Sequence, residues 1–153
     1  MKAIKEIRIA IADDHKQMRT AISDYLRKMG FAVIIEAKSG KDLLCQLENA
    51  AILPDVCLLD YRMPAMMGDE LAAVVSKQFP AIKLAAMTAN MDNDSMVKML
   101  TSGCDSYLLK NSSPEEWSLA IQGLVTHGYY CTDWMARTLL EHIRFSYRKS
   151  SKT

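Results

Sequence analysis

The chain has 153 residues, half of them hydrophobic and 24% charged, which suits one globular domain with a real core and a short extension. Net charge is +1, which argues against a polybasic nucleic-acid binder, yet Arg144, Arg148, Lys149 and Lys152 crowd the last ten residues with no acid among them and leave residues 1–143 at −3. No apolar run is long enough to span a membrane, Met1 to Glu6 is too polar for a signal peptide, and Cys45, Cys57, Cys104 and Cys131 form no CxxC motif, so free thiols in a reducing cytosol are expected.

In chain order, Ile7 to Ala12 reads as a strand ending at Asp13-Asp14. Met18, Ala21, Ile22, Tyr25, Leu26 and Met29 then recur at three- and four-residue steps, one face of a helix that Gly30 would cap. Phe31 to Ile35 is a second strand, and Ser39 with Asp42 forms a capping pair ahead of a helix carrying Leu43, Leu44 and Leu47. Val56 to Leu59 has no polar alternation, as in a strand buried on both faces, and it stops at Asp60. Pro64 and Gly68 make the following residues a loop.

A helix marked by Leu71, Val74 and Val75 ends before Pro80, and Ile82 to Met87 is a fourth strand ending at Thr88. The helix after Asp92 carries Met96, Met99 and Leu100, with Gly103 closing it. Ser106 to Leu109 is a fifth strand ending at Lys110, and Ser113-Pro114-Glu115-Glu116 starts the next helix with a cap residue, a first-turn Pro and a Glu at the third position. Strand and helix alternate five times with short connections, the pattern of a flavodoxin-like, doubly wound α/β fold with a parallel sheet in the order 2-1-3-4-5.

That order brings Asp13-Asp14, Asp60, Thr88 and Lys110 to the C-terminal edge of neighbouring strands, where open α/β sheets collect ligands. Crowded carboxylates repel unless a cation intervenes, and Mg²⁺ fits a hard site of few carboxylates. A carboxylate beside such a metal can attack phosphorus. Lys110 would neutralise the incoming charge and Thr88 would donate a hydrogen bond to it. Each residue alone has a plainer role: Asp14 as a helix cap, Thr88 as a strand end, Lys110 as a surface lysine. Their joint placement is the specific signal.

The residues Asp13-Asp14, the block from Asp60 to Gly68, Thr88-Ala89 and the run Tyr107-Leu108-Leu109-Lys110 resemble the receiver domain of two-component response regulators over residues 5–128. Gly128-Tyr129-Tyr130 and the helix-like run to Ile143 resemble the linker of the NarL/LuxR-type subfamily, giving a linker helix over 129–143 and a basic, disordered tail over 144–153. The resemblance implies that Asp60 accepts a phosphoryl group from a sensor histidine kinase. It implies Mg²⁺ held by Asp14, with Asp13 close by, Asp60 and the Arg62 backbone carbonyl. Lys110 and Thr88 would hold the phosphoryl oxygens, and Tyr107 would change rotamer with Thr88. That couples the site to a face made by the fourth helix, fifth strand and fifth helix, through which a homodimer would form.

Two departures stand out. Asn111, not Pro, follows Lys110, so no cis X-Pro bond is expected there. No helix-turn-helix follows Ile143, so DNA would be reached only through a domain absent from this sequence, and a truncated transcription regulator is favoured over a stand-alone interaction module. A Mg²⁺-dependent phosphatase of the haloacid-dehalogenase kind is disfavoured, because the position of its general acid is Arg62. The expected molecule is therefore a switch rather than a turnover enzyme, with at most slow loss of its own phosphoryl group.

Overall fold

The computed structural model describes residues 2–151. Five parallel strands, β1 (Arg8–Ala12), β2 (Ala32–Ala37), β3 (Val56–Asp60), β4 (Lys83–Thr88) and β5 (Ser106–Leu109), form one sheet in the order β2-β1-β3-β4-β5. The helices are α1 (Lys16–Lys28), α2 (Gly40–Glu48), α3 (Gly68–Gln78), α4 (Asn93–Thr101), α5 (Pro114–His127) and α6 (Asp133–Ser151). The expected fold class and strand order are both present.

The two faces of the sheet make two cores, separated by the period-two alternation of strand side chains. Ala10, Ala12, Cys57, Leu59, Leu84, Ala86 and Tyr107 pack on the side of α2, α3 and α4. Ile9, Ile11, Val56, Leu58, Ala85, Met87 and Leu108 pack on the side of α1 and α5. Every residue of β3 is buried, which is why its sequence is continuously apolar up to Asp60. Helix starts follow local chemistry: Ser39, Asp92 and Ser113 accept from the backbone N–H groups of Asp42, Ser95 and Glu116 at 3.0, 2.9 and 3.2 Å. Gly30, at φ +100°, ends α1 in the left-handed conformation that a side chain disfavours. All four cysteines are free, Cys57 and Cys104 within the core. No helix among the described residues is long and apolar enough to cross a membrane.

The last element corrects the expected boundary. Residues 144–151 are not a disordered tail: α6 runs unbroken from Asp133 to Ser151, and Lys152 lies outside the described residues. No Gly or Pro interrupts residues 132–151, so nothing stops the helix at Ile143. Met135 and Thr138 are buried, while Trp134 and Leu139 pack half-buried against the core on the α4 side. Ile143 does not pack there, and from Leu140 onward every described residue of α6 is exposed. The α4 side of the anticipated dimer face is therefore covered by the chain's own last helix.

Candidate functional site

The strand ends place the expected residues as the topology requires. Asp60 closes β3, Thr88 closes β4, Lys110 follows β5, and Asp13-Asp14 follows β1. Asp60, Thr88 and Lys110 line a cleft of about 270 Å³ together with His15, Tyr61, Arg62, Ala89, Asn90, Asp92 and Ser95, and Asp13-Asp14 lie beside it. Gly68 lets α3 start against the end of β3: a Cβ there would come within 2.5 Å of the Asp60 carbonyl, so only glycine permits this approach.

The carboxylates are not equivalent. Asp13 is fully buried, and both of its oxygens are used. Its Oδ1 accepts the His15 backbone N–H at 2.9 Å, and its Oδ2 accepts from Lys110 Nζ at 2.8 Å. Lys110 Nζ also lies 3.3 Å from Asp60 Oδ1, so the lysine bridges the two carboxylates and sits nearer Asp13. Asp14 Oδ1, by contrast, is buried with no hydrogen-bond partner. A buried carboxylate oxygen left without a donor is costly, and a cation satisfies it. Oxygens of Asp13 and Asp14 lie with a His15 ring nitrogen inside a 4.8 Å cluster, and no donor among the described residues reaches the Arg62 carbonyl. The donor set is hard and oxygen-rich, and it fits Mg²⁺.

Burial pushes the Asp60 carboxyl up to about 6; repulsion from Asp13 and Asp14 adds to this and Lys110 opposes it. Burial disfavours the Lys110 charge, but the Asp13 hydrogen bond and the Asp60 charge outweigh it and leave the ammonium held above its ordinary range. Hydrogen bonds from Ser95 hold the Asp92 carboxyl below its ordinary value, with Arg62 adding a smaller attraction across the cleft.

Thr88, which lines the cleft, and Tyr107 lie next to each other. The Thr88 hydroxyl donates to the Asn90 carbonyl at 2.8 Å instead of pointing a free proton at Asp60. The Tyr107 ring is buried, and its hydroxyl has no hydrogen-bond partner, although the Thr88 and Ser95 hydroxyls are close enough to favour its ionisation. Burial prevails and raises that phenol. His15 was not expected at the site. Its signal was positional: it directly follows the acidic pair and occupies the residue before α1, with Nδ1 3.5 Å from Asp14 Oδ1.

The profile of the response regulator receiver domain family matches residues 9–122, about three quarters of the chain. The chain belongs to that family. Over 117 residues this receiver domain is 35% identical to the response regulator protein VraR of Staphylococcus saprophyticus, covering 76% of the chain and 55% of VraR. It thus spans about half the length of the curated relatives it matches. The solved signal receiver domain of the Mycobacterium tuberculosis response regulator NarL superposes with a TM-score of 0.71 at 32% identity, covering 78% of this chain and 95% of that one. A LuxR-family two-component response regulator from Aurantimonas sp. SI85-9A1 superposes at 0.75 over 88% of this chain and 96% of that one; at 23% identity it speaks for the fold alone. The matched residues include every strand-end group of the cleft, and the family functions as a phosphorylation-dependent switch.

Proposed function

We propose that Asp60 is the phosphoacceptor of a Mg²⁺-dependent switch, charged by a phosphohistidine of a sensor histidine kinase. The observation that carries this reading is the division of labour among the acids. Asp60 faces the cleft with Lys110 Nζ 3.3 Å away, while Asp14 keeps an unpartnered oxygen beside it. In the reaction one Asp60 oxygen bonds to phosphorus, the P–N bond of the phosphohistidine breaks, and the leaving imidazole takes a proton. Mg²⁺ would be held by Asp14, Asp60 and the Arg62 carbonyl, with Asp13 close by, and would supply positive charge to the transferring group. Lys110 supplies a second positive charge to the phosphoryl oxygens and stays tethered by Asp13. Thr88 gives up the Asn90 carbonyl and donates to the phosphoryl group, and Tyr107 follows it.

Arg62 and Asn90 border the same cleft and set the lifetime of the phosphoryl group, whose slow hydrolysis is the domain's only turnover. Output runs through a DNA-binding domain outside this sequence, in a protein of the cytoplasm. The test is intact-protein mass after incubation with Mg²⁺ and acetyl phosphate. One phosphoryl adduct is expected, absent with chelator and absent in Asp60→Asn; an adduct surviving in Asp60→Asn defeats the assignment. Arg62→Ala should change the decay rate of the adduct, and an equal rate removes Arg62 from that role.

A further inference from the structure

The face that would read the switch is already occupied. The Trp134 ring of α6 lies 6.0 Å from the Tyr107 ring, centroid to centroid, with their planes at 46°. Met135 beside it is 1% exposed and shares one core cluster with Met96, Met99 and Tyr107. Contact ends soon after: Thr138 and Leu139 still touch the domain, and every described residue from Leu140 on faces solvent. A 19-residue helix is thus held by its first two turns alone, and one of its anchors, Trp134, rests tilted against Tyr107, the neighbour of Thr88.

The other half of the observation is an imbalance in hydrogen bonding. The Tyr107 hydroxyl is buried with no partner, while the neighbouring Thr88 hydroxyl donates to the Asn90 carbonyl. The present pose of Tyr107 is therefore stabilised by packing under α6, not by a hydrogen bond of its own.

We infer that α6 is an intramolecular latch on the α4–β5 face, docked through Trp134 on Tyr107 while Asp60 is unmodified and loosened when Asp60 carries a phosphoryl group. The inference rests on the phosphoacceptor reading of Asp60. When Thr88 turns to the phosphoryl oxygens, the Asn90 carbonyl loses its donor, and the unpaired Tyr107 hydroxyl, which neighbours Thr88, takes that acceptor. The ring then moves toward Thr88 and away from Trp134. Close-packed contacts fall off steeply with distance, so α6 loses an anchor it cannot spare. While the latch is docked, the α4 side of the face is closed to a second copy of the chain. Dimerisation through that face and the docked α6 exclude each other.

Linkage makes the idea testable in both directions. Beryllofluoride with Mg²⁺ serves as a non-covalent stand-in for the phosphoryl group. The chain has two tryptophans, and Trp117 is buried on the opposite side of the sheet. Binding should shift the emission of the wild type to the red and leave Trp134→Phe unchanged, and trypsin should cut α6 faster at Arg137 and Arg144. Reciprocally, Trp134→Ala should bind beryllofluoride at least about five-fold more tightly, the lower end of ordinary allosteric coupling. The latch is overturned if beryllofluoride binds the wild type, fails on Asp60→Asn, and yet leaves both Trp134 emission and the Trp134→Ala affinity unmoved. Weaker binding by Trp134→Ala overturns it as well, because the coupling then has the opposite sign. No binding to the folded wild type defeats the Asp60 reading itself, and the latch with it. The emission comparison does not depend on the alanine variant folding.

Discussion

The two edges of the sheet both carry buried or half-buried acids, and they treat them in opposite ways. At the N-terminal edge Asp55 is satisfied from all sides. It takes the Lys2 ammonium at 2.8 Å and the Arg8 backbone N–H at 2.8 Å. Asp105, at the same edge, accepts the Leu84 N–H at 2.9 Å. These carboxylates staple one strand to the next. At the C-terminal edge Asp13 is saturated, but Asp14 keeps an unpartnered oxygen and Asp60 is held in a state that resists ionisation. At the N-terminal edge Asp55 and Asp105 both have protein donors, although burial raises the Asp105 carboxyl as it does Asp60 and the Leu84 N–H opposes it. An edge that leaves carboxylate oxygens waiting is built to receive something positive.

Breaking the stapled edge has the largest effect on stability. Asp55→Ala orphans the Arg8 N–H and the Lys2 ammonium together, so unfolding free energy should fall by about 2 kcal/mol, read by urea titration, with Mg²⁺ affinity unchanged. At the other edge the sign reverses. The Asp60 carboxyl stands at about 6 in the fold against an ordinary 3.8, so its contribution is fully present below about pH 4 and is lost as pH rises through about 6. In chelator at pH 8, Asp60→Asn should therefore be more stable than wild type, on the order of 2 kcal/mol after allowing for the weakened Lys110 contact, and the gain should vanish near pH 4. A stability gain independent of pH would show that burial of charge is not its source.

Asp14→Asn sharpens the comparison further. Its Oδ1 accepts no hydrogen bond and has only the exposed His15 ring nitrogen, 3.5 Å away, to lose, so metal-free stability should change by no more than about 0.5 kcal/mol, while Mg²⁺ affinity falls about ten-fold or more by calorimetry. The smallest effect concerns the loop that leaves β3 at the C-terminal edge. Ala65 sits at φ +68° and is exposed. Left-handed backbone costs an L-residue about 1–2 kcal/mol, and glycine's extra chain entropy returns part of this, so Ala65→Gly should raise stability by about 0.5 kcal/mol in thermal melts.

Much of this was legible in the chain wherever the cause is local. Ser113-Pro114-Glu115-Glu116 starts α5 because a cap and a first-turn proline need only their immediate neighbours. The uninterrupted Val56–Leu59 run marks a strand buried on both faces before any partner strand is known. Residues 144–151 differ from expectation because a basic, acid-free stretch reads as a solvated tail, whereas helix continuation depends on the absence of a breaker. Asp13 and Asp14 are adjacent and chemically identical, so nothing local says which is saturated by Lys110, 97 residues away. His15 had only its position to announce it, and its relation to Asp14 appears once α1 turns back over the strand end.

By itself the sequence determined the alternation of strands and helices, their strand order, and the identity of the groups at the strand ends. Those follow from periodicity, capping and chain connectivity, which act over a few residues or a single crossover. Only the tertiary structure decided that Asp14 keeps a free oxygen, that Thr88 is turned to Asn90, and that Trp134 covers Tyr107. The Trp134–Tyr107 contact joins elements distant along the chain, while the Asp14 oxygen and the Thr88 rotamer depend on which neighbours the packed strand ends bring within reach.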